Sequence, residues 1–379
     1  MNRTVIVRYG EIAIKSKPVR KKFEKILVEN IKTAITETSF EIETERGRIF
    51  IDTSETEKVA SSVANLPGVV STSPAWKAEP SSLEGICNFA EKIARRSFSP
   101  KGSFAIRSRR MGDHEFSSED IEEKVGERVL EEIPDLSVNL DSPDQTLYIE
   151  IRGGDAYFFT KVIEGIGGLP VGSQKKIIVL FSGNIYSAIS TVLLLKRGAL
   201  ACPLFFDTGD EKLRKEALAL FKEILKFHPK LELRTVNIQS ILEQIPKKVS
   251  EELKDMVKER MLIKLAEAIG GKIDAKALAS SKSSKQIATL TLHNLGSIEE
   301  RTDIPVFHPL LGYENEKLAK IGKKINPELP DDEFRKPPSS SKMEKIDPEK
   351  IHEIERKIPQ ESLIESALET LQIYTFFEG

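Results

Sequence analysis

Two groups of residues could carry chemistry. The first is Ser182-Gly183-Asn184-Ile185-Tyr186-Ser187, which follows the apolar run 176–181 and opens a helical pattern. A strand-to-helix turn of this kind presents free backbone N–H groups and the positive end of a helix dipole, which suits a phosphate. The same residues also read as an ordinary turn capped by serine. The second group is basic. Arg95, Arg96, Lys101, Arg107, Arg109 and Arg110 follow one another with no acidic residue between 95 and 110, and Lys15, Lys17, Arg20, Lys21, Lys22 and Lys25 form an earlier run. Each run alone is what a solvated face looks like. Both fall in the first third of the chain while acidic residues accumulate elsewhere, so local charge points to RNA or DNA there despite a net charge of −2. Cys87 and Cys202, without CxxC or His-Cys spacing, offer neither a disulfide framework nor a zinc site and read as buried small hydrophobes. His293 and His308 have neither triad nor metal spacing, and no metal site is expected.

The elements that must position these groups are legible in part. A chain of 379 residues, 39% hydrophobic and 31% charged, is too long for one core and has a soluble globular composition. No apolar run reaches bilayer length, and the start runs straight into a strand pattern without a signal-like apolar stretch, so no membrane contact and a cytoplasmic location are expected. Strand 5–9, a helix from about Pro18, strands 40–43 and 48–51, a helix over 54–65 and a strand at 69–71 give the βαββαβ order of a ferredoxin-like domain. Ser73-Pro74 reads as a turn. A helix over 83–96, a strand at 104–107, a helix over 118–132 opened by Ser118, and a hairpin across Gly153-Gly154 form a second α+β unit. The glycine-rich stretch 164–172 reads as a linker. Strands 176–181, 200–206 and 231–236 alternate with helices 188–197, 211–226 and 250–269, the pattern of a doubly wound parallel sheet with its ligand site at the carboxyl ends of the strands. A Pro-, Ser- and charge-rich stretch then leads to one or two final helices. The expected boundaries are 1–76, 77–165 (with a start near 58 as an alternative), 166–335 and a helical tail over 336–379.

Several collinear segments carry a family resemblance. Val5-Ile6-Val7-Arg8-Tyr9-Gly10-Glu11-Ile12-Ala13-Ile14-Lys15 resembles the N-terminal signature of the tRNA 4-thiouridine sulfurtransferases, the ThiI-like enzymes. Phe104-Ala105-Ile106-Arg107-Ser108-Arg109-Arg110, Tyr148-Ile149-Glu150-Ile151-Arg152, Gly165 to Gly172, the strand-loop-helix running to Gly198, and Pro305 to Gly312 agree in order and spacing. The resemblance implies a ferredoxin-like domain, a THUMP domain and a PP-loop domain. It implies tRNA as partner, ATP with Mg as cofactor, and a cysteine desulfurase or other sulfur donor. The implied reaction is adenylation of uridine 8 followed by sulfur transfer, with a link to thiamine thiazole synthesis. A homodimer is also implied. Carried onto this chain, the nucleotide residues are Leu180, Phe181, Ser182, Gly183, Asn184, Ser187, Arg260, Ser281 and Gln286. The RNA residues are Lys15, Lys17, Arg20, Arg95, Arg96, Arg107, Arg109 and Arg110.

The departures are as informative as the matches. The family loop is Ser-Gly-Gly-x-Asp-Ser, whereas Asn184 stands at the second glycine and Tyr186 at the aspartate. A side chain at the first crowds phosphate, and a tyrosine does not manage magnesium as a carboxylate does. The family's Thr-Gly-Glu-x-x-Gly-Gln appears as Ser280-Ser281-Lys282-Ser283-Ser284-Lys285-Gln286, and its Asp-Lys as Glu314-Asn315. The segment that carries the relay cysteines corresponds to Pro330-Asp331-Asp332-Glu333-Phe334, no rhodanese-like domain follows, and Cys202 as a substitute thiol is weaker than Cys202 as packing. Two expectations follow: a non-catalytic tRNA-binding relative, favoured because the polar residues with chemical jobs have changed, or an active divergent enzyme fed by an external sulfur donor.

Overall fold

The computed structural model describes residues 2–80, 82–249, 253–283, 292–300, 302–330, 333–335 and 347–376, divided into two compact units, 1–167 and 168–379. The stretch Ser284 to Gln286 and the pair Asp331-Asp332 lie outside the described residues.

The first unit contains β1 (Asn2–Tyr9), α1 (Lys17–Ala34), β2 (Glu41–Glu45), β3 (Arg48–Asp52), α2 (Thr56–Ala64) and β4 (Val69–Ala78). It continues through α3 (Leu83–Ser97), β5 (Gly102–Met111), α4 (Ser118–Glu132), β6 (Leu136–Val138), β7 (Gln145–Arg152), β8 (Asp155–Phe159) and β9 (Ile163–Glu164). Its described strands form one sheet in the order β2-β3-β1-β4-β8-β7-β5-β6, with β9 also on β4. Pro18 in the first turn of α1 costs no hydrogen bond, and Phe23, Leu27 and Ile31 bury one stripe of that helix. α4 is capped one residue earlier than its sequence suggests. Ser117 and Asp120 form a reciprocal capping box, which frees Glu122 to accept from the Ser108 N–H at 2.7 Å.

The expected turn at Ser73-Pro74 is instead the middle of β4, with Pro74 in register with Val5. On its other side β4 meets β9 at residues 71–72 and β8 at 76–78, so residues 73–75 have a ladder partner on one side only. A proline fits where only one neighbour needs hydrogen bonds. This unbroken strand joins the ferredoxin-like half and the following half into one sheet.

The second unit contains β10 (Lys176–Phe181), α5 (Ile185–Lys196), β11 (Leu200–Asp207), α6 (Glu211–Ile224), β12 (Leu233–Asn237), α7 (Gln239–Lys248), α8 (Lys254–Ile273) and β13 (Ala277–Ala279). It ends with α9 (Leu292–Glu299), β14 (Val306–Phe307), α10 (Asn315–Ile325), α11 (Pro348–Glu355), α12 (Gln360–Glu369) and β15 (Gln372–Tyr374). The sheet order is β14-β13-β10-β11-β12-β15, parallel except for β15, which runs antiparallel to β12. The tail is therefore more than the expected helices: it supplies an edge strand, and its Ile351, Ile358, Leu363 and Ala367 share a core with Met256, Leu265 and Ile269 of α8. Among the described residues no helix is long and apolar enough to cross a membrane.

Candidate functional site

β10 ends at Phe181 and the chain turns into α5 through Ser182, Gly183 and Asn184. Gly183 has φ +78°, and a Cβ there would lie 2.8 Å from Ala217 Cβ and 3.2 Å from its Cα, so this glycine lets α6 approach. Asn184 caps α5, its side-chain oxygen accepting from the Ser187 N–H at 3.0 Å, while the Ser187 hydroxyl donates back to the Asn184 carbonyl at 2.6 Å. A donor that a phosphate would use is thus already satisfied within the loop. Tyr186 stacks edge-on against Phe334, with ring centroids 5.3 Å apart, and burial followed by nearby Glu333 raises its hydroxyl pKa.

Beside this loop, at the carboxyl ends of β10, β11 and β13, lies a cavity of about 440 Å³. Its walls are mostly apolar, from Phe181, Phe205, Phe206, Leu213, Ile238, Leu262 and Val306, with Ser182, Thr208, Lys258, Glu259, Lys282 and Glu299 as polar groups. The size and the sparse polar set fit a small ligand with a flat apolar part, such as a nucleoside. Of the expected nucleotide residues, Leu180, Phe181, Ser182 and Ser281 line this cavity, and Gly183, Asn184 and Ser187 form the adjoining loop. Gln286 lies outside the described residues. Arg260 is spent elsewhere. It is 2% exposed, its Nε and second Nη donate to Glu355 of α11 at 2.7 and 3.0 Å, and its other Nη donates to the Ser297 carbonyl.

The same geometry tests the implied magnesium. Glu259 is paired with Lys282, and the Glu299 carboxylate is hydrogen-bonded to His308 Nε2 at 2.8 Å. Among the described residues no three His, Cys, Asp or Glu side chains gather as a metal would need. Among the described residues, the cavity lining fits the nucleoside end of ATP, and no set of carboxylates at the loop fits a magnesium ion. Thr208, Lys258, Glu259, Lys282 and Glu299 were not singled out from the sequence. The stretch after β11, Asp207-Thr208-Gly209-Asp210, held a usable signal, because a loop following a parallel strand belongs to the ligand end.

In the first unit, strand alternation divides the arginine run. Arg107 and Arg109 are exposed on one face of β5, whereas Arg110 points to the other face and donates to the Gly112 and His114 carbonyls at 3.2 and 3.3 Å. Arg107 donates to the Leu140 carbonyl. Arg95 and Arg96 are exposed at the end of α3, where Arg95 pairs with Glu132 and Glu91. Lys17 is exposed, Lys15 is half-buried, and Arg20 lies 3.7 Å from Glu24. The pleat therefore separates Arg110 from Arg107 and Arg109 on β5.

The register of β5, β7, β8, β4, β1 and β3 instead puts Arg109, Glu150, Tyr157, Lys77, Arg8 and Arg48 on one sheet face. Glu150 accepts from Arg48 at 3.0 Å and Arg152 at 2.7 Å and lies 3.7 Å from Arg8, while Arg152 reaches Glu45 at 3.1 Å. β3 and β7 are four strand spacings apart, roughly 19 Å in a flat sheet at about 4.8 Å per strand. Their direct contact requires the sheet to curl until this face closes on itself. Phe50 and Tyr157 stack at 4.5 Å within the curl, and the Arg8 guanidinium lies 4.8 Å from the centre of the Phe159 ring. Burial, only partly opposed by Glu150, lowers the Arg8 pKa to about 10, with neighbouring Arg48, Arg152 and Arg109 adding to the effect. Tyr9, next in the signature segment, donates to Glu24 and accepts from the Gly47 N–H at 2.8 Å, and burial followed by Glu24 pushes its hydroxyl up to about 12.

Comparison with known proteins adds three matches to family models. The ThiI ferredoxin-like domain matches residues 4–73, the THUMP domain 80–161, and the thiamine biosynthesis protein (ThiI) model 172–333. A "Probable tRNA sulfurtransferase" of Saccharolobus islandicus is 33% identical over 327 residues, 85% of this chain and 86% of the relative. One from Thermococcus kodakarensis is 32% identical over 356 residues, 88% of this chain and 91% of that one. A crystal structure of a 4-thiouridine synthetase in complex with RNA, with bound ATP, is 25% identical, has a TM-score of 0.82 and covers 99% of both chains. PH1313 from Pyrococcus horikoshii is 28% identical with a TM-score of 0.68, covering 86% of this chain and 99% of that one.

Proposed function

The chain belongs to the ThiI family of tRNA sulfurtransferases, and from that premise we propose that it is a non-catalytic, tRNA-binding member. Its first unit would hold tRNA through exposed cations such as Arg107, Arg109 and Lys17, which suit phosphates and RNA shape rather than base sequence. Its cavity would accept the nucleoside part of ATP. The observation that carries the loss of chemistry is the loop itself: Asn184 occupies the Ser187 N–H, and Tyr186 packs on Phe334 where the reaction wants a carboxylate. Adenylation needs charge stabilisation where the phosphates sit, and a loop satisfied by its own caps supplies little of it.

The rival reading is an active divergent enzyme fed by an external sulfur donor, and the size of the cavity, about 440 Å³, is what favours it. Incubating the full chain with unmodified tRNA, Mg-ATP and sulfide, and digesting the tRNA for mass spectrometry, separates the two. The expected result is no 4-thiouridine above the protein-free control, together with retardation of the same tRNA in a gel. ATP-dependent accumulation of 4-thiouridine would establish the enzyme instead.

A further inference from the structure

The second unit has another hollow, at the amino-terminal ends of its strands. It measures about 160 Å³ and is lined by Lys176, Cys202, His228, Lys230, Glu232 and Arg234, among others. Parallel register places Lys176 beside Leu200 and Arg234 beside Leu204, so Lys176, Cys202 and Arg234 share one sheet face. Cys202 in this hollow and Phe206 in the nucleotide cavity are four residues apart on β11, about 13 Å at a rise of roughly 3.3 Å per residue. The two hollows are separate sites that share strands.

The chemistry of this hollow is one-sided. Three cations, Lys176, Lys230 and Arg234, come from three different segments and meet one carboxylate, Glu232, to which an Arg234 Nη donates at 2.7 Å. Lys176 is tethered by donating to the Ile273 carbonyl at 3.1 Å, at the end of α8. The Arg234 Nε is buried and has no hydrogen-bond partner. Buried guanidinium N–H groups are normally satisfied, so this guanidinium keeps donor capacity beyond its bond to Glu232. Burial, helped by Lys230, lowers the His228 pKa to about 4, so its ring is neutral near pH 7 and carries an N–H donor. A space of this size takes a phosphate group and is too small for a nucleotide.

We propose that this hollow binds a single phosphate group, with Arg234, Lys176 and Lys230 supplying the charge and donors. A backbone phosphate of RNA and free inorganic phosphate share that chemistry. Cys202 reports on occupancy because its thiol lines the hollow, while Cys87, buried in the other unit, is the internal control. In the full chain, inorganic phosphate at ten times its Kd should slow alkylation of Cys202 about tenfold and leave Cys87 unchanged. Phosphorus NMR should show saturable binding of phosphate by the parent protein and none by R234Q. K230Q, a change at an exposed side chain, should also remove the protection without disturbing the fold. If tRNA protects Cys202 as well, the ligand is an RNA phosphate; protection by inorganic phosphate alone assigns the free ion. Alkylation of the parent that ignores both, or protection that survives in both variants, overturns the proposal.

Discussion

The curled face of the first unit and the loop of the second both gather polar groups, and they settle them in opposite ways. On the curled face, Arg8, Arg48 and Arg152 share Glu150, Glu45 also holds Arg152 and Asp155 holds Lys77, so these charges are spent on one another while Arg109 stands exposed beside them. In the loop, Asn184 and Ser187 satisfy one another and Tyr186 turns to an aromatic neighbour. The first region leaves an exposed cation at the rim of its paired charges, and the second leaves no free donor at the Ser187 N–H. A site is a surplus of donors or charge after the fold has met its own needs. Counting polar residues does not reveal it.

The largest test of this contrast is Glu150→Ala. It strands Arg8, Arg48 and Arg152 in the curl without their shared counter-charge, and should destabilise the first unit by about 3–5 kcal/mol in urea unfolding. A loss under about 1 kcal/mol would mean that the curl is held by its aromatic stack instead. The same carboxylate gives a pH signature. Burial alone would raise the Glu150 pKa, but Arg48 and Arg152 outweigh it and the net shift is downward. A folded-state pKa below the unfolded value means that this contribution is complete above the unfolded carboxylate pKa and is lost as pH falls through the folded one. Acid titration of the parent should therefore show a loss of stability that Glu150→Gln lacks.

Next in size is Gly183→Ala. Its Cβ would meet Ala217 at 2.8 Å with φ at +78°, and a loss of about 1–3 kcal/mol is expected by thermal melting. Asn184→Ala removes only a cap and should cost about 1 kcal/mol. If Asn184→Ala also strengthens ATP binding in a thermal-shift assay, self-capping is what closes the loop to the phosphates.

The smallest expected change is Arg109→Ala. The fold should be untouched because the side chain is exposed, while tRNA affinity falls and the salt dependence of binding flattens by about one unit of slope. Unchanged binding would move the RNA contact away from the curled face.

Much of the architecture was legible in the residues. The continuous apolar run 176–181 and the capped helix 118–132 have their expected bounds, because a buried strand and an amphipathic helix write their periods locally. β13, β14 and β15, at two or three residues each, are too short for any period to register. The loop at Ser182 could be placed beside a cavity because a parallel sheet gathers its clefts at the carboxyl ends of its strands. The curled arginine face was not legible, because Arg107, Arg109 and Arg110 are adjacent in sequence and divided by the pleat.

The sequence by itself determined the order of elements, which side of each would be apolar, and the family motifs with their altered positions. The tertiary structure alone decided which charges meet: Arg48 with Glu150 across 102 positions, and Arg260 with Glu355 across 95. Local periodicity sets the direction in which a side chain points, but the group waiting there depends on how a sheet curls and where a distant helix docks. Charge that looks available along the chain can be consumed by a partner that only the fold supplies.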